Sequence, residues 1–178
     1  MWNLISKKTL SIIVLLTLTC FIHADVVAQS ANNKVLKDFR RLTKFWEGTL
    51  TYLDYSSGEE YTMLANVYIS RISHTTSYVF EHTYPNESSA NAVDTVVLSE
   101  GGKSIGNEVV VSRKKLKNGN IEIITEEEGV DGNDDRQATF RHTYIIGHKL
   151  FIIRKEVQFI GESNWIMRHE YSYSTRGK

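Results

Sequence analysis

The chain has 178 residues, with 21 lysines and arginines balanced by 21 aspartates and glutamates, so its formal net charge is zero. This balance, with both signs interspersed, argues against a nucleic-acid partner, which normally leaves a basic surface. A single proline, nine tyrosines and seven phenylalanines argue against a long disordered segment.

The N-terminus has the pattern of a secretory signal. Lys7 and Lys8 precede an apolar stretch over 9–24, and small residues end at Ala28. A charged start, a short apolar middle and a small-residue exit predict a cleaved signal peptide over 1–28. The apolar run is shorter than the roughly 20 residues that span a bilayer, which disfavours the alternative of an uncleaved membrane anchor. The mature chain is therefore expected in the periplasm or outside the cell.

The only cysteine, Cys20, lies inside this segment. Anchoring as a lipoprotein at Cys20 is an alternative, but it would require a Leu-x-(Ala/Gly/Ser) triplet, and residues 17–19 depart from that pattern. Removal of the signal, after Ala28 or alternatively after Ala24, leaves a chain without a thiol. Disulfide bonds, cysteine nucleophiles and zinc-thiolate sites are then excluded.

About 150 residues remain, which is a common size for a single domain. The first part, 29–45, is predicted to contain a short amphipathic helix that begins at Asn32 or Asn33. The apolar side chains at helical spacing are Val35, Leu36, Phe39 and Leu42. Basic residues occupy much of the opposite face, and we expect the helix to cover the domain rather than bind a membrane.

The rest of the chain, 46–178, alternates strand patterns with turn residues. The predicted strands are Trp46–Tyr55, Tyr61–Ile72, Tyr78–Tyr84, Thr95–Ser99, Glu108–Leu116, Ile121–Glu127, Gln137–Ile146, Lys149–Ile160 and Trp165–Ser174. Asn118-Gly119 is a strong two-residue hairpin signal, because both residues adopt positive φ at low cost. Short connections force sequential strands to pair antiparallel, and closure of the sheet removes its edges. We therefore predict an all-β, up-and-down antiparallel barrel of about nine to ten strands, with a β-sandwich as the alternative.

Alternation places most aromatic side chains of the later strands in one row, which is predicted to line the barrel interior. Aromatic walls with a few polar groups are typical of a small-molecule cavity. The predicted cavity residues are Tyr78, Phe80, His82, Phe140, His142, Tyr144, Met167, His169 and Tyr171. Lys155 belongs to the same inward row. The alternative is that the histidine and tyrosine tips reach water at the barrel mouths.

The opposite rows carry charged side chains. Arg141, Arg154 and Arg168 lie there with Glu156 and Glu170. An outer lattice of cross-strand ion pairs accounts for them most simply. An inward arginine clamp for a carboxylate is the alternative, although the burial of so many charges would require extensive pairing.

No motif for catalysis or metal binding occurs in the sequence. It contains no Gly-x-Ser-x-Gly, Walker or His-Glu-x-x-His pattern. The pairs Glu81-His82 and His169-Glu170 cannot act together, since neighbouring strand residues point to opposite faces. The acidic segment 131–135 departs from a calcium loop at the sixth and twelfth positions, so a solvated hairpin is predicted. We expect no catalytic residue and no metal site, with catalysis by scattered strand residues as the alternative.

The layout of a short helix, a tryptophan early in the first strand and a meander resembles the lipocalin-like proteins of the calycin superfamily. Trp46-Glu47-Gly48 is similar to the Trp-x-Gly opening of small lipocalin-like and nitrobindin-like barrels, whereas Lys44 stands where a Gly-x-Trp motif would place glycine. The resemblance implies a ligand-binding barrel in which Trp46 packs near a cation of the last strand, here Arg168. The signal segment resembles those of exported Bacteroidetes proteins.

These observations predict an exported, non-catalytic protein that holds a small apolar or aromatic molecule and has no resident cofactor. The resemblance to nitrobindin-like barrels implies haem, ligated by His169 or His142, as an alternative. An enzyme that uses the barrel cavity and an envelope protein-interaction module are two further alternatives.

Overall fold

The computed structural model describes residues 34–54, 57–131 and 135–175. The expected signal peptide over 1–28, Cys20 within it, and the expected helix caps Asn32 and Asn33 lie outside the described residues. Within those three ranges, no helix has the length and apolar character needed to cross a membrane.

A short helix precedes the sheet, as predicted. It is α-helical over 34–39 and continues as a 3₁₀ turn over Arg40–Leu42. Val35, Phe39 and Leu42 are almost completely buried, whereas Arg41 on the other face is exposed. The indole Nε1 of Trp46 donates a hydrogen bond to the Leu42 carbonyl oxygen at 2.9 Å, which fixes the end of the helix to the first strand. The helix therefore covers one end of the barrel.

The described residues form ten strands, all paired antiparallel in one sheet. They are β1 (Phe45–Asp54), β2 (Glu59–Arg71), β3 (Ser77–Thr83), β4 (Ala92–Val97), β5 (Ser104–Ile105), β6 (Glu108–Lys115), β7 (Ile121–Asp131), β8 (Arg136–Ile146), β9 (Leu150–Phe159) and β10 (Ile166–Ser174). A second 3₁₀ turn, Ser88–Ala90, lies between β3 and β4. The order across the sheet is β4-β3-β2-β1-β10-β9-β8-β7-β6-β5.

The two edges of this sheet approach each other. A single bridge joins Leu98, just after β4, to Ile105 in β5, and the Gly106 amide donates to the Val97 carbonyl oxygen at 2.7 Å. The sheet is thus a nearly closed barrel, which confirms the predicted up-and-down architecture and excludes the β-sandwich. Short hairpins connect the strands of the meander. In the turn between β6 and β7, Gly119 adopts φ 84° and its amide donates to the Leu116 carbonyl oxygen. Asn118 does not have a positive φ, so this turn is longer than the two-residue hairpin that Asn118-Gly119 predicts.

Gly48 allows β1 and β10 to come unusually close. Its Cα is paired with that of Tyr173, and a Cβ built at position 48 would overlap the Ser172 carbonyl oxygen and lie 2.8 Å from the Tyr173 Cα. Only glycine fits without a backbone shift. The Trp46-x-Gly48 opening therefore has a packing reason in this chain: the tryptophan fills the core below the helix, and the glycine admits the neighbouring strand.

Two clusters of buried apolar side chains occupy the barrel. The larger, the helix-side core, consists of Val35, Phe39, Leu42, Trp46, Val67, Ile69, Tyr78, Phe80, Leu98, Ile105, Ile121, Ile123, Tyr144, Ile146, Phe151 and Tyr173. The smaller, the far cluster, consists of Ala138, Phe140, Val157 and Phe159. β8 and β9 contribute to both clusters, and the stretch of barrel between them holds the polar interior groups.

The outer surface of the late strands carries cross-strand ion pairs. Arg141 lies 2.6 Å from Glu126, its register partner on β7, and Arg154 lies 2.6 Å from Glu170, its register partner on β10. The predicted exterior lattice is confirmed for these two arginines. Arg168 is the exception, because it is buried.

Candidate functional site

The inward row of β9 changes from buried to partly exposed and back again. Phe151 is fully buried, Ile153 and Lys155 are partly exposed, and Val157 and Phe159 are buried again. Side chains that point into a filled barrel would be buried along the whole row. Ile153 packs against the helix-side core, and both positions keep accessible surface between that core and the far cluster.

The strands β10, β1 and β2 repeat this pattern at the same level, whereas Tyr144 on β8, the register partner of Ile153, is buried. On β10, Tyr173 is buried while Tyr171 and His169 are partly exposed. The register pairs Tyr171 with Leu50 on β1, and Leu50 with Met63 on β2; both of these side chains are also partly exposed. We name this level the mid-barrel site, which comprises Leu50, Met63, His82, His142, Ile153, Lys155, His169 and Tyr171.

Aromatic rings form a continuous belt through the mid-barrel site. The ring centroids are 5.5 Å apart for His82 and Tyr171, 5.6 Å for Tyr171 and His169, and 6.3 Å for His169 and His142. The hydroxyls of Tyr171 and Tyr84 lie 2.9 Å apart and share a hydrogen bond. Such a belt offers ring faces for stacking and a few polar groups for orientation.

A hydrogen-bonded carboxylate joins three strands at one side of the belt. Glu108 Oε1 on β6 lies 2.5 Å from His142 Nδ1 on β8, and Thr125 on β7 donates to Glu108 Oε2. Burial alone would raise the pKa of Glu108, but the hydrogen bond and charge of His142, the Thr125 hydroxyl and the Lys155 charge together hold it below its usual value. Glu108 is therefore ionised at neutral pH and fixes the orientation of the His142 ring.

A cleft of about 250 Å³, open to solvent, leads to this carboxylate. It lies between β4 and β6, at the seam of the barrel. Among the described residues, the Leu98–Ile105 bridge is the strand pairing that joins the two edges of the sheet there. Its lining includes Thr95, Val96, Ile105, Glu108, Glu127 and His142. The seam cleft thus reaches the mid-barrel site at His142.

Two histidines of the belt are uncharged at neutral pH. Burial, followed by the positive charges of His142 and Lys155, lowers the pKa of His169 to about 4. Burial also lowers the pKa of His82, and Asp94, 3.9 Å away, opposes this shift only in part. Each ring therefore keeps a nitrogen lone pair that can accept a hydrogen bond.

The belt tyrosines remain protonated over the same pH range. Burial raises the pKa of Tyr171, and the hydrogen bond shared with Tyr84 and the charges of Tyr84 and Asp94 raise it further. Burial likewise raises the pKa of Tyr173 and of Tyr144. The hydroxyls of Tyr171 and Tyr173 therefore keep their protons, and they lie 2.9 Å from the Tyr84 hydroxyl and 3.5 Å from His82 Nδ1, respectively.

The structure brings four of the predicted cavity residues together and distributes the others. His82, His142, His169 and Tyr171 lie in the mid-barrel site. Tyr78, Phe80 and Tyr144 belong to the helix-side core, and Tyr144 also lines the seam cleft. Phe140 belongs to the far cluster, where its ring centre lies 4.7 Å from Lys155 Nζ.

Met167 and Arg168 differ from their predicted positions because β10 contains a register shift. Met167 pairs with Glu156 and His169 pairs with Lys155, so Arg168 is an extra residue between them. This bulge places Met167 opposite an outer-row residue instead of in the inward row that the alternation predicts. Arg168 turns inward, where its Nη2 lies 2.6 Å from Asp131 Oδ2.

The family resemblance implied that Arg168 packs near Trp46, but the structure keeps the two residues apart. Trp46 precedes Glu47, which pairs with Ser174 at the opposite end of β10 from Arg168. The cation over the Trp46 ring is Lys44, with Nζ 4.4 Å from the ring centre. Arg168 instead lies over the Phe159 ring at 5.7 Å, and closes the far end of the barrel.

Sequence reasoning missed Leu50, Met63, Glu108 and Thr125. Leu50 could have been predicted from the inward–outward alternation of β1, because it lies on the same face of the strand as Trp46 and Gly48. Glu108 offers no such signal, since it opens β6 after a turn and its burial depends on His142 from a distant strand.

Comparison with known proteins assigns no family to the chain. No protein-family model matches it, and no curated protein is similar to it in sequence. Within the described ranges, no three histidine, cysteine or acidic side chains are grouped so that they could hold a metal ion. The functional assignment therefore rests on the geometry of the mid-barrel site.

Proposed function

We propose that this chain is an exported binding protein that holds a small aromatic molecule in the mid-barrel site. The observation that carries the proposal is the run of partly exposed inward side chains between two buried clusters, seen at Ile153 and Lys155 on β9 and at His169 and Tyr171 on β10. An interior that keeps accessible surface between packed ends has room for a ligand.

The chemistry of the belt favours an aromatic ligand over a purely aliphatic one. Tyr171, His169 and His82 offer ring faces, and aromatic pairs gain about 0.5–1.5 kcal/mol beyond the burial of their area. Leu50 and Met63 add apolar surface on the side of β1 and β2. The seam cleft, at about 250 Å³, is large enough to admit a molecule of one or two rings. The lipocalin-like resemblance and the signal pattern of residues 1–28 agree with this role and remain part of the proposal.

A first experiment identifies the natural ligand. The mature protein is purified from the cells that make it and examined by native mass spectrometry together with an absorbance scan. A co-purified aromatic molecule supports the proposal. A Soret band would replace it with haem bound through His169 or His142, and a barrel that is empty and also fails the titration below would favour a protein-interaction module.

A second experiment localises binding with two neighbouring isoleucines of β9. Ile153 points into the mid-barrel site, whereas Ile152, paired with Ile145 and Ser172, points outward. Ile153→Trp should fill the site and abolish binding of 2-naphthamide, measured by calorimetric titration, while Ile152→Trp should leave binding unchanged. The proposal fails if wild-type protein does not bind the probe, or if both variants bind it equally.

The stability of the same variants reports whether the interior has room. In an open site the Ile153→Trp substitution should cost little, whereas overpacking of a filled interior costs about 1–3 kcal/mol. Urea unfolding of Ile153→Trp without ligand therefore distinguishes a cavity from a packed core.

A further inference from the structure

Lys155 is a cation that faces the interior of the barrel. It lies on β9, in register with His142 on β8 and with His169 on β10, and its side chain is partly buried. Its Nζ lies 4.7 Å from the centre of the Phe140 ring, so the ammonium is on the side of the mid-barrel site next to the far cluster. An ammonium in such a place has less water to solvate it than a surface lysine has.

Glu108 is a carboxylate whose charge acts on Lys155, but its contacts lie with other residues. Its Oε1 lies 2.5 Å from His142 Nδ1, its Oε2 accepts from the Thr125 hydroxyl, and the Lys155 charge helps to lower its pKa. Glu127 lines the seam cleft, and among the described residues no carboxylate forms an ion pair with Lys155. Lys155 therefore has no ion-pair partner among the described residues, and a bound anion would supply one.

The interior around Lys155 offers a positive charge and a hydrogen-bond donor. The charge of Lys155 opposes protonation of His169, so it acts at that ring, although the ionised Glu108 lies beside it. The Tyr84–Tyr171 pair shares one hydrogen bond between two hydroxyls, which leaves one hydroxyl hydrogen to donate to a ligand. A ligand in the mid-barrel site would therefore have an ammonium at Lys155 and a phenolic donor at the Tyr84–Tyr171 pair within that site.

We propose that the ligand of the mid-barrel site is an aromatic carboxylate, with its anionic group at Lys155 and its ring against Tyr171 and His169. This inference rests on the proposed binding function and adds the charge of the ligand to it. Charge-assisted hydrogen bonds are roughly twice as strong as neutral ones, so the anion should bind about tenfold more tightly than a neutral molecule of the same shape.

The test compares two probes that differ only in charge. 2-Naphthoate carries a carboxylate where 2-naphthamide carries a neutral amide, and both are titrated calorimetrically at pH 7 into three proteins. These are the wild type, Lys155→Met, which keeps the length and apolar stem of the side chain, and Lys117→Met. Lys117 is exposed in the turn between β6 and β7 and serves as the matched control. Circular dichroism and thermal melting establish that the variants are folded.

The expected result is that wild type and Lys117→Met bind 2-naphthoate about tenfold more tightly than 2-naphthamide. Lys155→Met should lose this preference and keep the wild-type affinity for 2-naphthamide. Equal binding of the two probes by the wild type, or a preference that survives in Lys155→Met, would overturn the inference and leave the binding function standing. Failure of both probes to bind would overturn the binding function, and the inference with it.

Discussion

The Glu108 carboxylate on β6 and the His142 imidazole on β8 are joined across β7, with 2.5 Å between Oε1 and Nδ1. Thr125, on the intervening strand, donates to the second oxygen of the same carboxylate. The three side chains tie together the strands that border the seam cleft. The charge of Lys155 also acts on this carboxylate and helps to keep its pKa low.

Glu108→Gln should destabilise the fold, because the amide cannot accept hydrogen bonds at both of its terminal atoms. The expected loss is about 1–3 kcal/mol at pH 7, measured by urea unfolding. Thr125→Val removes a single hydrogen bond and should cost about 1 kcal/mol.

The pH dependence gives a second readout of the same substitution. The pKa of Glu108 is lowered, so its stabilisation is present above the unfolded value of 4.5 and is lost as the pH falls through the lower folded value. The difference between wild type and Glu108→Gln should therefore shrink below pH 4.5. A variant as stable as the wild type at pH 7 would contradict a structural role for this carboxylate.

Arg168→Met should be costly because it leaves the buried Asp131 carboxylate without its guanidinium partner. The expected loss is about 3–5 kcal/mol, the range for removal of one member of a buried ion pair. Arg154→Met is the matched control on the outer surface, where the arginine side chain is 47% exposed and pairs with Glu170. It should cost less than about 1 kcal/mol. Equal losses in urea unfolding would refute the distinction between the buried and the outer pair.

Gly48→Ala should destabilise the barrel by about 2 kcal/mol or more, since the new Cβ would overlap the Ser172 carbonyl and β10 would have to move. Gly101→Ala provides the control, because the nearest heavy atom to a Cβ there is Lys103 Cγ at 3.8 Å. Its effect should stay within about 0.5 kcal/mol. Thermal or urea unfolding of both variants tests the prediction, and a silent Gly48→Ala would show that β1 and β10 are not held so closely.

His169 should make the protein less stable as the pH falls. Its pKa is about 4 in the folded state and 6.5 as the ordinary value, so between these values the unfolded chain takes up the proton first. The lowered pKa leaves stability unaffected above 6.5 and costs about 2–3 kcal/mol by pH 4.5. His169→Gln should flatten this decline in urea unfolding at pH 7.5 and pH 4.5. A proton NMR titration of the His169 ring with a midpoint near 6.5 would contradict the account.

The sequence predicts the barrel well because its signals are local and repeated. Alternating side chains, short turns and the Asn118-Gly119 hairpin each act over a few residues, and together they leave few other topologies. β5 escaped prediction because a strand of two residues, Ser104–Ile105, is too short to show any alternation. Its importance is that it carries the bridge that nearly closes the barrel.

The sequence predicts the site residues on strands where side chains alternate regularly between the two faces, and it misplaces residues where a bulge interrupts that alternation. His142, His169 and Tyr171 follow the regular row, and the structure places them side by side. The bulge at Arg168 leaves no trace in the sequence, because Met167 and Arg168 could each occupy either face. Glu108 was missed for a different reason. The burial of a carboxylate can be predicted only when its partners are known, and His142 lies on a strand that is distant in the sequence.

The most direct measurement is methyl NMR of the wild-type protein as 2-naphthamide is added. Binding in the mid-barrel site should shift the methyl resonances of Ile153, Leu50 and Met63. The methyls of Ile123, in the helix-side core, and of Ile152, on the outer face of β9, should stay unchanged. Unchanged resonances at Ile153 with saturating probe, or shifts confined to the outer face, would contradict the assignment of the barrel interior as the binding site.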